Sequence, residues 1–368
     1  MNKQANKQPE KLTGKTIELA KKLIQVKSIY DNPAQLDRVL EIALAELSRF
    51  PVQIFEQNGV KSALISNRPG CLNFKYLLNG HVDVVTGLAD QFVPLVKSGR
   101  LYGRGAQDMK AATAAMIEVF KSVADKVDYP LGLQIVTDEE VGGHNGTEYQ
   151  IAQGITADFV IVGEPSDLRI INRAKGVVKA ELTAYGKSAH GAYPWQGESA
   201  ILKMAKFLVN LDDFVGSQGE TEWVTTCDVP IVSTTNKEFN KVAADCTVQL
   251  DIRYIPEEGA EKVIMNLKEK LSENFVLEVL SIAPAQFTKA DNEDIARLTA
   301  ILKAQGIEID AKLSGKNGAT DGKYYTKQGI PVVIWGLEGG GLHQDEEWVA
   351  ISSIEKYCRV LTEFLLQG

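Results

Sequence analysis

Five places along the chain set an imidazole or a carboxylate where an apolar run gives way to a loop or a loop leads into a helix, and these are residue types that bind cations. The run Phe74–Leu78 leads into Asn79-Gly80-His81-Val82-Asp83. In extended backbone His81 and Asp83 point to the same side, so the carboxylate can hold one ring nitrogen while the other faces a metal. Taken alone, His81 also reads as a structural or simply exposed histidine. Gly103-Arg104-Gly105-Ala106-Gln107-Asp108 precedes a helical pattern, which makes Asp108 a candidate ligand and equally a candidate helix N-cap. The run Leu131–Thr137 ends in Asp138-Glu139-Glu140-Val141-Gly142-Gly143. Three successive carboxylates repel one another, so either they fan into water or cations hold them together. Phe159–Val162 ends in Gly163-Glu164-Pro165, and Pro331–Trp335 leads through Gly339-Gly340-Gly341 to His343. Histidines combined with carboxylates suit zinc and also admit cobalt or manganese. The sequence has no His-Glu-x-x-His, no Gly-x-Ser-x-Gly and no Walker loop, which removes the helical zincin, the serine elbow and the P-loop.

Such residues need a rigid scaffold with strand ends gathered at one edge. Helical periodicity is expected around Ile17–Ile24 after a loose first dozen residues, then at Leu36–Leu47, Met109–Val123 and Ile295–Ala304, after Asp321, and over Ser352–Leu366. Dense apolar runs at Ser62–Ser66, Phe74–Leu78, Leu131–Thr137, Phe159–Val162, Ile309–Leu313 and Pro331–Trp335 read as strands of a sheet covered on both faces. Between about 176 and 286 the pattern changes. Val178, Ala180, Leu182 and Ala184 alternate with Lys179, Glu181, Thr183 and Tyr185, and Cys246–Arg253 alternates likewise. Strands with one wet face, separated by helices at about Glu198–Leu211 and Glu257–Leu271, give the order β-α-β-β-α-β of a ferredoxin-like unit. The expected fold is therefore α/β: a central mixed sheet between helices, from residues 1–175 and 287–368, interrupted by a small α+β domain at 176–286.

A chain of 368 residues exceeds what one core usually serves, in keeping with two domains. With 40 Lys+Arg against 48 Asp+Glu the net charge of −8 disfavours nucleic acid as a partner. Four scattered cysteines fit a reducing, cytoplasmic setting rather than a disulfide framework. The polar start shows no signal-peptide or anchor pattern, and no apolar run approaches a membrane span.

In order, Gly80-His81-Val82-Asp83-Val84-Val85, Gly103-Arg104-Gly105-Ala106-Gln107-Asp108-Met109-Lys110, Asp138-Glu139-Glu140-Val141-Gly142-Gly143, Gly163-Glu164-Pro165 and Gly341-Leu342-His343 closely resemble the co-catalytic zinc peptidase family (M20). That family contains acetylornithine deacetylase, succinyl-diaminopimelate desuccinylase, aminoacylase, carboxypeptidase G and peptidase T, and the resemblance runs from about Leu19 to Leu366. It implies a zinc-peptidase-like catalytic domain with a lid or dimerisation domain at 176–286. It implies two zinc ions, with cobalt or manganese as substitutes: His81, Asp108 and Glu164 hold one, and Asp108 bridges to a second held by Glu140 and His343. Glu139 is then the general base and Asp83 orients His81. Ser188-Ala189-His190-Gly191 resembles the family segment whose histidine supports the tetrahedral intermediate, in its own subunit or in a partner's. Asn240 and Arg253 resemble lid residues that meet a substrate carboxylate, with Lys323 a further candidate.

Two departures stand out: Lys241-Val242-Ala243-Ala244 follows Asn240 where many members have proline, and Lys323 stands where desuccinylase-like members often have arginine. A lysine cannot copy a bidentate fork. His144 has no family role and reads as an exposed loop histidine. The implied activity is metal-dependent hydrolysis of a small N-acyl amino acid; the alternative is an aminopeptidase, dipeptidase or tripeptidase of the same family. A homodimer through 176–286 and a monomer are both open as the assembly, since some relatives of this architecture act alone.

Overall fold

The helix Lys110–Val123 is the pivot of the larger part of the chain. Its sequence is rich in alanine, which fits where backbones crowd, and it is buried on nearly every side. It packs between the sheet and the helices Lys7–Ile24 and Ile351–Leu366. The computed structural model describes residues 7–211, 223–307 and 314–368. By internal contacts the chain divides into two units, residues 1–172, 287–314 and 320–368, and residues 173–286 and 315–319.

In the first unit the sheet order is Val52–Gln57, Val60–Ser66, Leu131–Val136, Asn73–His81, Thr156–Val162, Val332–Ile334, Ile171–Ala174, Gln286–Phe287. The strand Asn73–His81 runs parallel to both Leu131–Val136 and Thr156–Val162, and Val332–Ile334 continues the parallel set. Both faces of these strands are buried, which is why the central ones read as unbroken apolar runs. One face joins the helical core through Tyr76, Leu78, Leu133 and Ile161. The other carries a buried polar cluster in which the Asn79 amide donates to Thr147 at 3.0 Å and to Tyr325 at 3.1 Å.

Three differences from the sequence reading concern element ends and small sheets. The first helix begins at Lys7 rather than after a loose dozen residues; the buried stripe of Leu12, Leu19 and Leu23, with Thr16 buried among them, continues toward the start. The strand Val52–Gln57 forms a hairpin with Val60–Ser66 through Asn58-Gly59, both at positive φ, the chemistry of a tight primed turn. A small sheet of Leu95–Lys97, Arg100–Tyr102, Trp348–Ala350 and Gly339–Gly340 was not anticipated. Its strands are two or three residues long, too short to show a period. The strand expected at 309–313 lies outside the described residues.

The second unit holds one antiparallel sheet in the order Thr226–Ser233, Asp245–Tyr254, Gly176–Tyr185, Phe275–Ala283. Val178, Ala180, Leu182, Val248, Leu250 and Ile252 face the helices Ala200–Val209 and Ala260–Glu269 through Met204, Val263 and Leu267. The opposite face is polar: Thr183 bonds Thr247 at 2.9 Å and Gln249 donates to Glu181 at 3.0 Å. Alternation along each strand forces this division. Beside the 176–286 boundaries drawn from the sequence, the unit takes in Arg173–Lys175 and Gly315–Ala319.

Candidate metal centre

The register of the parallel strands sets His81 beside Val136 and Asn79 beside Val162, so three strands finish together at their carboxyl ends. The chain beyond each end supplies a polar group: His81 and Asp83, Glu139 and Glu140, and Glu164. This edge of a parallel sheet is where ligands of α/β proteins collect. The Thr113 hydroxyl donates to the His81 carbonyl at 2.9 Å and pins the strand end to the central helix.

Asp108 arrives from the loop before that helix. The N-cap position belongs to Met109, so the capping alternative for Asp108 is set aside. Instead, its Oδ1 lies 3.0 Å from His81 Nε2 and its Oδ2 lies 3.3 Å from His343 Nε2. Gly105 is required for this path: its φ is +84°, and a Cβ there would meet Val84 Cγ1 and Lys110 Cδ at 2.8 Å. His343 itself sits at φ +59°, an uncommon conformation for a residue with a side chain.

Around this carboxylate the remaining groups close in. His81 Nε2 is 3.6 Å from Glu164, and His343 Nε2 is 3.4 Å from Glu140. Potential ligand atoms of His81, Asp108 and Glu140 lie within 4.8 Å of one another, as do those of His81, Glu139 and Glu164. The Asp83 backbone carbonyl is 3.1 Å from His81 Nδ1, nearer than the side-chain Oδ1 at 3.5 Å. The other carboxylate oxygen, Oδ2, accepts from the Glu140 N–H at 3.0 Å and so ties the acidic loop to the histidine strand.

Electrostatics explain what such a cluster needs. Burial, then the nearby Glu164, pushes the Glu139 carboxyl well above the usual carboxylate range. Burial also raises Glu140, against a hydrogen bond from His343. Burial opposes charge on His81, but hydrogen bonds to Asp108 and Asp83 outweigh it and hold its pKa well above the ordinary imidazole value. Hydrogen bonds to Asp108 and Glu140 lift His343 to about 10. Without cations, protons must do the work of neutralising the carboxylates. Two imidazoles and two further carboxylates around one shared acid match the donor set and spacing of a two-metal hydrolase site.

Lys323 is buried and donates to the Gly142 carbonyl at 3.0 Å, so it supports the acidic loop rather than offering an open charge to a substrate. Tyr324 donates to the same carbonyl. His144 is exposed, with Nδ1 2.7 Å from Glu148. In the second unit His190 is exposed and its Nδ1 accepts from the Ala192 N–H at 3.1 Å, which leaves the proton of the neutral ring on Nε2. The Gly191 N–H donates to the Asn240 carbonyl at 2.6 Å, so the segments carrying His190 and Asn240 run side by side. The guanidinium of Arg253 is bidentate to Asp251, at 2.7 and 2.8 Å.

The sequence reading overlooked Asp321 and Glu347. Asp321 is fully buried and accepts from the Thr147 hydroxyl; a Cβ on Gly143 would fall 2.0 Å from its Oδ1. Glu347 lies in Asp345-Glu346-Glu347, which reads as an ordinary acidic loop, yet its side chain is 1% exposed.

Residues 77–367 match the family model described as peptidase family M20/M25/M40. A succinyl-diaminopimelate desuccinylase of Wolbachia pipientis subsp. Culex pipiens is 30% identical over 374 residues, covering 95% of this chain and 92% of the relative. One from Sphingopyxis alaskensis is 30% identical over 373 residues, with 95% and 97% covered. The fold is shared with aminopeptidase PepT of Bacillus cereus, at a TM-score of 0.79 and 18% identity over 96% of this chain and 98% of that one. It is shared also with a dinuclear metal-binding peptidase of the M20 family from Bacillus subtilis, at 0.68 and 12% over 97% and 98%.

Proposed function

The chain belongs to the M20/M25/M40 peptidase family and is a hydrolase; from that premise we propose that it cleaves the amide bond of a small N-acyl amino acid, of the N-succinyl or N-acetyl class. The observation that carries the reading is the Asp108 carboxylate, whose two oxygens face two different imidazoles, with Glu164 beside one and Glu140 beside the other. In this reading His81, Asp108 and Glu164 hold one zinc, and Asp108, Glu140 and His343 hold the other, with cobalt or manganese as substitutes. The chemistry the cations supply when bound is Lewis acidity, which makes water a usable nucleophile near neutral pH.

The chain's own groups do the rest. Asp83 and its carbonyl orient His81 so that Nε2 faces inward. Glu139, half-buried beside the cluster, takes the proton of the attacking water on its carboxylate and returns it to the leaving amine. His190 donates from Nε2 to the developing oxyanion, in cis or in a partner subunit. Asn240 and Arg253 grip the carboxylate of the amino acid, for which Arg253 must exchange Asp251 for substrate. Lys323 contributes through the loop it holds. The second unit serves as lid and as the homodimer contact.

Among the described residues no helix is long and apolar enough to cross a membrane. We place the enzyme in the cytoplasm on its sparse cysteines and small-molecule substrate.

A hydrolysis screen tests the function, with N-succinyl and N-acetyl amino acids set against di- and tripeptides and with metal-stripped protein as control. Acyl substrates should be cleaved, cleavage should vanish on stripping and zinc should restore it. Cleavage of peptides alone would replace this reading by the aminopeptidase or dipeptidase one. Full activity in stripped protein would remove the cations from the mechanism.

A further inference from the structure

The two loops that meet at the shared carboxylate are joined by one buried side chain. Oε1 of Glu347 accepts from the Gln107 N–H at 2.9 Å and from the N–H of Asp108 itself at 3.1 Å. Oε2 accepts from the Gly105 N–H at 3.0 Å and from Arg104 Nη1 at 2.8 Å. The Glu347 carbonyl takes the Gly103 N–H at 3.0 Å. One residue thus takes four backbone donors of this loop, those of Gly103, Gly105, Gln107 and Asp108, while the Ala106 N–H turns back to the Gly103 carbonyl.

Glu347 lies four residues beyond His343, and the turn between them is braced separately. The Gln91 amide donates to the carbonyls of Gln344 and Asp345 at 3.0 and 2.8 Å. Past Glu347 the chain pairs at once with the strand that leads into Gly103, Trp348 opposite Tyr102. Glu347 thus links the loop that carries Asp108 to the segment that follows His343.

We infer that Glu347 is a positioning residue for the shared carboxylate, holding Asp108 at the attitude in which its two oxygens serve two cations. The inference rests on the two-cation reading above. A plain alternative is that Glu347 only neutralises buried Arg104, which is 3% exposed.

The two part company in Co2+ titrations of chelator-stripped full-length protein, followed by calorimetry and by the cobalt visible absorption bands. Wild type should take two equivalents. Glu347→Gln keeps the volume but turns an amide donor toward N–H groups, so its second equivalent should bind at least about tenfold more weakly, with altered bands. Arg104→Gln leaves the three backbone donors on Glu347 and should stay within about threefold of wild type in Co2+ affinity, even where it lowers the melting temperature. Wild-type affinity and bands in Glu347→Gln would overturn the inference while leaving the two-cation reading intact. So would an Arg104→Gln loss as large as that of Glu347→Gln. Wild type binding no Co2+ would remove the two-cation reading and the inference with it. If Glu347→Gln does not fold, Glu347→Asp keeps the charge opposite Arg104 but withdraws it by a methylene. Weakened Co2+ binding there supports the inference and unchanged binding overturns it.

Discussion

Glu139 and Glu140 are adjacent, half-buried acids with different neighbours. Glu140 has its N–H held by Asp83 and its carboxylate 3.4 Å from His343, whereas Glu139 faces the His81 and Glu164 side. Adjacent residues can take separate duties because the strand has ended and a short 3₁₀ turn, Glu139–Val141, fans them apart. Replacing Glu139 with glutamine removes a proton acceptor while keeping shape. The kcat of Glu139→Gln should fall by about 10²–10⁴-fold. Zinc content by elemental analysis should stay at the wild-type value, and a variant of normal kcat would end the assignment of Glu139 as base. His81, Asp108, Glu140, Glu164 and His343 were all legible as residue types at strand or loop ends. Asp321 and Glu347 were not, because an acid in a polar segment looks the same whether it points at water or at buried donors, the Thr147 hydroxyl for one and backbone N–H groups for the other.

At the level of elements, the loop Gly103–Asp108 depends on a conformation that only glycine adopts easily. Gly105→Ala adds both the positive-φ penalty and a Cβ 2.8 Å from Val84 and Lys110, a loss on the order of 1–3 kcal/mol. Stripped protein of this variant should melt lower and bind Zn2+ more weakly; a melting curve and affinity equal to wild type would contradict the geometry. The strand Phe275–Ala283 is terminal in its sheet, and Val276, Leu280 and Ile282 are about half exposed along it. An apolar edge invites pairing with another chain. If the proposed homodimer uses that edge, Leu280→Lys should shift the mass in sedimentation velocity from dimer to monomer; a dimer that persists moves the contact elsewhere. The longer elements were readable because burial on one face leaves a period of 3.6 or 2, and burial on both faces leaves an unbroken apolar run. The strands of the small sheet were hidden because two or three residues cannot display one.

For the molecule as a whole, any cation that binds only the folded chain stabilises it by mass action. With free Zn2+ at about a hundred times its Kd, each site adds roughly 2.7 kcal/mol. Chelator should therefore lower the melting temperature and added Zn2+ should restore it in a concentration-dependent way. A melting temperature indifferent to both would mean that the folded cluster has no cation affinity. Composition, alternation and run length determined the two kinds of sheet, because hydrophobic periodicity is a local property of the chain. The candidate ligands, too, were marked locally, by polar residues that follow apolar runs. What only tertiary structure decided was convergence. The parallel register brings three strand ends level, Gly105 turns the loop, and Glu347 joins residues 105–108 to a segment some 240 positions away in sequence. Those contacts depend on backbone N–H groups seeking acceptors after burial, a demand that every residue makes and none displays in its side chain.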